Sequence, residues 1–159
     1  MELNDTTDYQ LCFACGQRNP YGLHMVFRQE DESIVCDFMP QVEHQGFPGI
    51  IHGGIVASVL DEALNRSSML GNPPAWTMTG RLEVRYRRNV PYGPLLRVRA
   101  KLQTQRGRLL TSTGALTLAE NEATVLAEAQ GTFMALTPDM QETIMHEYPV
   151  MRDFFKDKS

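Results

Sequence analysis

The stretch QGFPGIIHGGIVASVLDEALNR, residues 45–66, decides the fold. Gly46, Pro48 and Gly49 break its first half, which ends in His52-Gly53-Gly54. From there Val56, Val59, Leu60, Ala63 and Leu64 recur at i, i+3, i+4, i+7 and i+8, the apolar stripe of a helix. Gly71, Asn72, Pro73 and Pro74 end it. A Gly-rich turn that opens into a helix leaves backbone N–H groups unpaired, and these attract negative charge. Two turns on, Asp61 stands about 120° from the centre of the stripe, off the face that meets the core. On a single chain it is a flanking acid, and only a second surface over that flank gives it a partner. A carboxylate near free amide donors can activate water or attack a carbonyl whose oxygen becomes anionic. Glu62 points about 100° away from Asp61 and reads as solvated or ion-paired.

Strand patterns flank this helix. LHMVFR (23–28) alternates Leu23, Met25 and Phe27, QEDES (29–33) is a polar turn, and IVCDFM (34–39) is its hairpin partner. Residues 40–51 read as a loop. After the helix, 77–88 sets Leu82, Val84 and Tyr86 against Arg81, Glu83, Arg85 and Arg87, and 95–103 sets Leu96, Val98, Ala100 and Leu102 against Arg97, Arg99 and Lys101. Segments 109–119 and 123–136 follow, the last read as strand despite its Ala and Glu because Gly131-Thr132-Phe133 favours β. Residues 1–10 read as a loose tail and 139–157 as a short polar helix within a C-terminal extension over 139–159. The outline is β-β-α-β-β-β-β, an α+β chain without internal repeats. One helix is too little to cover both faces of a sheet, so an antiparallel sheet wrapped around it is expected. An exposed sheet edge makes self-association the expectation as well.

Bulk properties narrow the class. With 159 residues and 42% hydrophobic content, one domain over 1–159 with a packed core is expected. No apolar run is long enough for a membrane span. The acidic start MELNDTTDYQ is unlike a secretory signal, which points to the cytoplasm. Cys12, Cys15 and Cys36 are an odd set and argue against a disulfide framework. A zinc site on Cys12-x-x-Cys15 needs two more ligands. His24 and Cys36 could supply them but form no second close pair, so the expectation is no metal and two small residues packed in a turn. The net charge of −4 hides an asymmetry: nine of the fifteen Lys and Arg residues lie between Arg81 and Arg108, against one acid, Glu83. Either an anionic small molecule meets them or they form a solvated basic strand face. The acidic chain without a nucleic-acid motif excludes nucleic acid as partner.

Three segments then carry a resemblance. CFACGQRNPYGLHMVF, GFPGIIHGGIVASVLDEA and MTGRLEVRYRRNVPYG, with Asp61 nine residues after His52 and Val90-Pro91 closing the arginine-rich strand, resemble the hotdog-fold acyl-CoA thioesterases of the phenylacetate-pathway type. These belong to the 4-hydroxybenzoyl-CoA thioesterase-like superfamily, and the mitochondrial thioesterase-superfamily members are relatives. The resemblance runs from about Cys12 to Leu136. It implies a hotdog fold and a thioester hydrolase acting on an acyl-CoA, with coenzyme A as part of the substrate and no added cofactor. It implies a homodimer or tetramer with the active site between subunits. The Gly53 amide would be the oxyanion hole, Asp61 of the other subunit the general base or nucleophile, and Thr79 the residue that orients water. His52 would shape the turn, and Gly54, Arg87, Arg88, Arg106 and Arg108 are candidates for binding substrate, the arginines through the coenzyme A phosphates. Strand alternation sets Arg87 and Arg88 on opposite faces. Trp76 and Phe47 are candidates for an acyl pocket, with core or interface packing as the alternative. Some relatives carry Asn where this chain has Gly46, and His44 or Gln45 is a possible stand-in. A hotdog enoyl-CoA hydratase or acyl-thioester dehydratase, and a non-catalytic acyl-CoA binding module, are the competing readings.

Overall fold

The chain, described over residues 9–156 by a computed structural model, folds as an antiparallel sheet with one long helix packed against it. In chain order the strands and helices are β1 (Arg28–Glu30), β2 (Ser33–Phe38), β3 (Gln45–Phe47), β4 (Ile50–Ile51), α1 (Gly53–Arg66), β5 (Thr77–Tyr86), β6 (Leu96–Arg106), β7 (Leu109–Leu118), β8 (Asn121–Ala135), α2 (Pro138–Glu147) and α3 (Met151–Lys156). The six-stranded sheet has the order β1-β2-β6-β7-β8-β5, and β3 pairs with β4 apart from it. This is the hotdog architecture.

The stripe of α1 faces the sheet as its spacing requires: Val56, Val59, Leu60, Ala63 and Leu64 are its buried residues. They pack on Phe38, Leu96, Val98, Leu110, Leu116 and Phe133. Truncating one of the leucines to Ala costs about 2–5 kcal/mol. Close approach depends on Gly114, where a Cβ would stand 2.7 Å from Leu64 Cδ1 and 2.9 Å from the Arg99 carbonyl oxygen. A short 3-10 turn, Ser67–Leu70, closes the helix, and buried Ser67 bonds Ser112 of β7 at 2.8 Å.

Several sequence expectations shift. The strand expected over 23–28 starts only at Arg28. Leu23 and Met25 are buried, but their N–H groups donate to Phe13 and Ala14 carbonyls and His24 between them has φ 50°, so this segment is sewn to the preceding turn instead of the sheet. The loop 40–51 contains the small β3–β4 pair. The strand expected over 77–88 ends at Tyr86, because the N–H groups of Arg87 and Arg88 both turn onto the Leu126 carbonyl. The opposite-face placement of Arg87 and Arg88, which assumed a regular strand, lapses with it. The Ala- and Glu-rich 123–136 is strand up to Ala135, the end of β8. The C-terminal helix is two helices: Thr137 caps α2 by accepting from the Met140 N–H, Pro138 sits in its first turn, and Pro149 lies in the break before α3. On α3, Phe154 lies with its ring 4.4 Å from that of Trp76, so Trp76 packs within the chain. Phe47 is exposed. Of the expected N-terminal tail, Tyr9–Leu11 is a 3-10 turn and residues 1–8 lie outside the described residues. No described helix is long and apolar enough to cross a membrane.

Candidate active site

Two clusters on α1 hold the polar groups singled out in the sequence, one at its start and one at its middle. At the start, His52 is the N-cap, with φ −60° and ψ 135°, and its Nδ1 accepts the Gly54 N–H at 3.0 Å. Accepting through Nδ1 leaves the proton of the neutral ring on Nε2. The turn is anchored on three sides. The His52 N–H donates to the His44 carbonyl at 2.9 Å, the Ile51 N–H to Val90 at 2.8 Å, and Tyr86 Oη to the Gly53 carbonyl at 2.7 Å. Among the described residues the Gly53 N–H has no hydrogen-bond acceptor. Gly53 thus presents a free, fixed donor at the positive end of the helix dipole.

Gly46 explains its own departure from the relatives. A Cβ there would lie 2.8 Å from His52 Cδ2 and 2.9 Å from His52 Cα. No side chain fits without moving the cap. The His44 Nδ1 accepts the Gln41 N–H at 3.0 Å, and burial lowers the pKa of the ring.

At the middle of α1, Asp61 is half-buried and accepts the Thr79 hydroxyl at 3.0 Å. Burial pushes its carboxyl above the usual carboxylate range, and the Thr79 hydrogen bond opposes that shift. Thr79 reaches the helix through a bulge. In the ladder with β8, Thr79 pairs with Phe133 and Arg81 with Thr132, so Gly80 is an extra residue in β5. Beyond the bulge Leu82, Val84 and Tyr86 face the helix; before it, Thr77 and Thr79 do. Strict alternation would have turned Thr79 the other way. One turn past Asp61, Asn65 and Thr77 exchange hydrogen bonds at 3.2 Å and hold β5 against α1.

The structure therefore brings Asp61 to Thr79 and His52 to Gly53 and Gly54, but not one pair to the other. Eight residues of helix separate Gly53 from Asp61, about 12 Å at 1.5 Å per residue. Tyr86 is a contributor that the sequence reading missed; its place on the inward face with Leu82 and Val84 was the available signal.

The basic window resolves mostly into internal ion pairs. Arg97 holds Asp37 at 2.6 Å and Glu122 at 2.8 Å, Arg99 holds Glu30 at 2.9 Å, Arg81 holds Glu83, and Arg87 pairs with Glu128. Arg108 donates to the Ala135 carbonyl at 2.9 Å. Arg88 and Arg106 form no ion pair among the described residues. They sit at opposite ends of the sheet, Arg88 just past the end of β5 and Arg106, in β6, level with the start of β5 three strands across. The ten residues of β5 span about 30 Å.

Residues 48–124 match the family model described as Thioesterase superfamily. The chain is 32% identical over 122 residues to acyl-coenzyme A thioesterase THEM4 of Bos taurus, covering 76% of this chain and 48% of that one. The chain spans about half the length of the curated relatives it matches. A solved thioesterase-superfamily protein is similar with TM-score 0.67 and 29% identity, over 75% of this chain and 60% of that one. A putative thioesterase related to phenylacetic acid degradation, from Ralstonia eutropha, shares the fold at TM-score 0.62 and 24% identity, over 71% of this chain and 86% of that one. Fold, helix start and family match agree: the chain has the hotdog fold, and its residues 48–124 are similar to the thioesterase superfamily.

Proposed function

We propose that this chain hydrolyses acyl-CoA thioesters in a site assembled from two copies. The Gly53 N–H of one copy receives the carbonyl oxygen as it becomes anionic, worth about 2.7–4 kcal/mol of barrier for a single donor. Asp61 of the other copy acts as general base on water or as nucleophile, and Thr79 orients the attacking group. Water is the only co-reactant, and coenzyme A arrives with the substrate.

The observation that carries this reading is the half-buried Asp61 bonded to Thr79, about 12 Å along the helix from a free Gly53 amide. That span is too long for one carbonyl to meet both on one chain. The sheet suggests the remedy. β5 is an edge strand, paired only with β8 among the described strands. Asp61–Thr79 sits near its start and Tyr86–Gly53 at its end. Antiparallel pairing of two β5 edges sets each start beside the other's end, and so sets Asp61 beside the Gly53 of a second copy. The same operation brings Arg88 of one copy to the end that carries Arg106 of the other, which makes these two the arginines to carry coenzyme A phosphates. Gly54 serves indirectly, since its N–H holds the His52 cap in place.

A thiol-release assay over short, long and aromatic acyl-CoAs tests the proposal, with Asp61→Asn as control. Release by the parent and its near-complete loss in the variant are expected. Hydrolysis by Asp61→Asn at the parent rate sinks the mechanism. Loss of enoyl absorbance without thiol release would instead indicate hydration, and tight binding with neither would indicate a carrier.

A further inference from the structure

A cavity of about 630 Å³ opens between the N-terminal turn, α1 and the C-terminal helices, and its wall holds chemistry that thioester hydrolysis leaves unused. Cys12 Sγ, Cys15 Sγ and a Glu62 carboxylate oxygen lie within 4.8 Å of one another there. We propose that these three side chains bind a thiophilic divalent cation of the zinc class, with the fourth coordination position facing the cavity.

The turn is built for it. In Cys12-Phe13-Ala14-Cys15-Gly16 the Gly16 N–H closes onto the Cys12 carbonyl at 2.9 Å. A Cβ at Gly16 would stand 2.2 Å from the Gln10 carbonyl oxygen, so only glycine fits. The Cys15 thiol and the backbone of Cys15 and Ala14 favour the Cys12 thiolate. A thiolate is the form that ligates metal. Tetrahedral zinc with bonds near 2.3 Å needs its sulfur atoms about 3.8 Å apart. A cluster no wider than 4.8 Å closes to that by side-chain rotation.

Charge and softness agree. Arg66 donates to Glu62 at 2.9 Å and to Cys15 Sγ at 3.0 Å. Glu62 and Arg66 cancel each other's charge. A divalent cation balances two thiolates, so the loaded cluster is neutral and Arg66 remains an outer partner of the ligands. Two sulfurs and one oxygen favour zinc-type ions over magnesium or calcium. The ligands that the sequence offered are elsewhere engaged: the His24 ring bonds the Asn19 carbonyl, and Cys36 is buried in β2. The third ligand comes from α1, which no spacing rule around Cys12 and Cys15 reveals. Bound metal would pin the turn-rich N-terminal segment to the central helix.

The test titrates cobalt(II), then zinc(II), into metal-free chain held in a non-thiol reductant. Thiolate-to-cobalt charge-transfer absorption is expected to saturate at one ion per chain, to vanish on zinc addition, and to be accompanied by proton release. Cys12→Ser removes the band. Glu62→Gln keeps the thiolates and weakens binding by about tenfold, which separates ligand loss from misfolding when circular dichroism matches the parent. Three outcomes overturn the proposal: no band while both thiols titrate as free, undiminished binding by the Cys12→Ser, Cys15→Ser double variant, or a Cys12–Cys15 disulfide that persists in the reductant. None of these readouts depends on thioester hydrolysis, so its failure and that of the proposed function are distinguishable.

Discussion

The two ends of the proposed chemistry are held in opposite ways. At Gly53 the geometry is backbone: a capping ring, two main-chain bonds to neighbouring loops and the Tyr86 hydroxyl fix one amide. None of these contacts needs a charge. At Asp61 the geometry is one side chain and one hydroxyl, and burial raises the carboxyl pKa. The first is a rigid donor indifferent to pH. The second is a titrating group kept where its charge is costly, the condition under which a carboxylate makes a better base near neutrality.

Removing either end separates them most sharply. Gly53→Pro deletes the N–H alone, because Pro is accepted at the first helical position and the His52 ψ of 135° suits a residue before Pro. A loss of kcat by about 10²–10³ is expected. Asp61→Asn should cost about 10²–10⁴. If the site spans two copies, mixing the two dead variants restores activity. Random exchange makes half the dimers mixed, each with one intact site of two, so about a quarter of parent activity returns. No recovery on mixing, after subunit exchange has been verified, would place both groups on one chain and break the two-copy arrangement.

Stability should move the other way. A carboxyl whose folded pKa is raised binds its proton more tightly when folded, so above that pKa its charge disfavours the folded state. Asp61→Asn should therefore raise Tm at neutral pH. The gain should shrink as pH falls towards the ordinary value of 3.8, where Asp61 is protonated in both states. Thermal melts at several pH values read this directly, and a variant less stable than the parent at pH 7 would contradict the burial argument.

How much was legible follows from the same contrast. The stripe Val56, Val59, Leu60, Ala63 and Leu64 was readable because helical period alone decides which residues face the sheet. The cap and Asp61 were readable because they sit on that one helix. Thr79 came from family resemblance only: period 2 sends it to the wrong face, and Gly80 reverses this by bulging. The arginine window misled for a different reason. Glu30, Asp37, Glu122 and Glu128 neutralise it from other strands, and strand pairing is invisible to local composition.

The Thr79 hydrogen bond gives a smaller, sharper effect. Because it pulls the Asp61 pKa down against burial, Thr79→Val should raise that pKa further. The acid limb of the kcat profile then moves to higher pH, with rate falling as Asp61 protonates, and kcat at neutral pH drops by about tenfold, the cost of one charged hydrogen bond. A limb that moves to lower pH would mean Thr79 is not donating to the working carboxylate.

The smallest effect concerns the arginines, and there the internal pairs decide. Arg87 is held by Glu128, so Arg87→Ala removes an existing ion pair and should leave KM for an acyl-CoA nearly unchanged. Arg88 has no ion pair among the described residues and lies two positions past Tyr86, whose hydroxyl holds Gly53. Arg88→Ala should raise KM by about tenfold, the scale of one charge-assisted phosphate contact. With a thioester that lacks the nucleotide phosphates, the same variant should match the parent. Equal KM changes on both substrates would assign Arg88 to the turn's structure, and equal changes for Arg87→Ala and Arg88→Ala would mean that the pairing with Glu128 gives way when substrate binds.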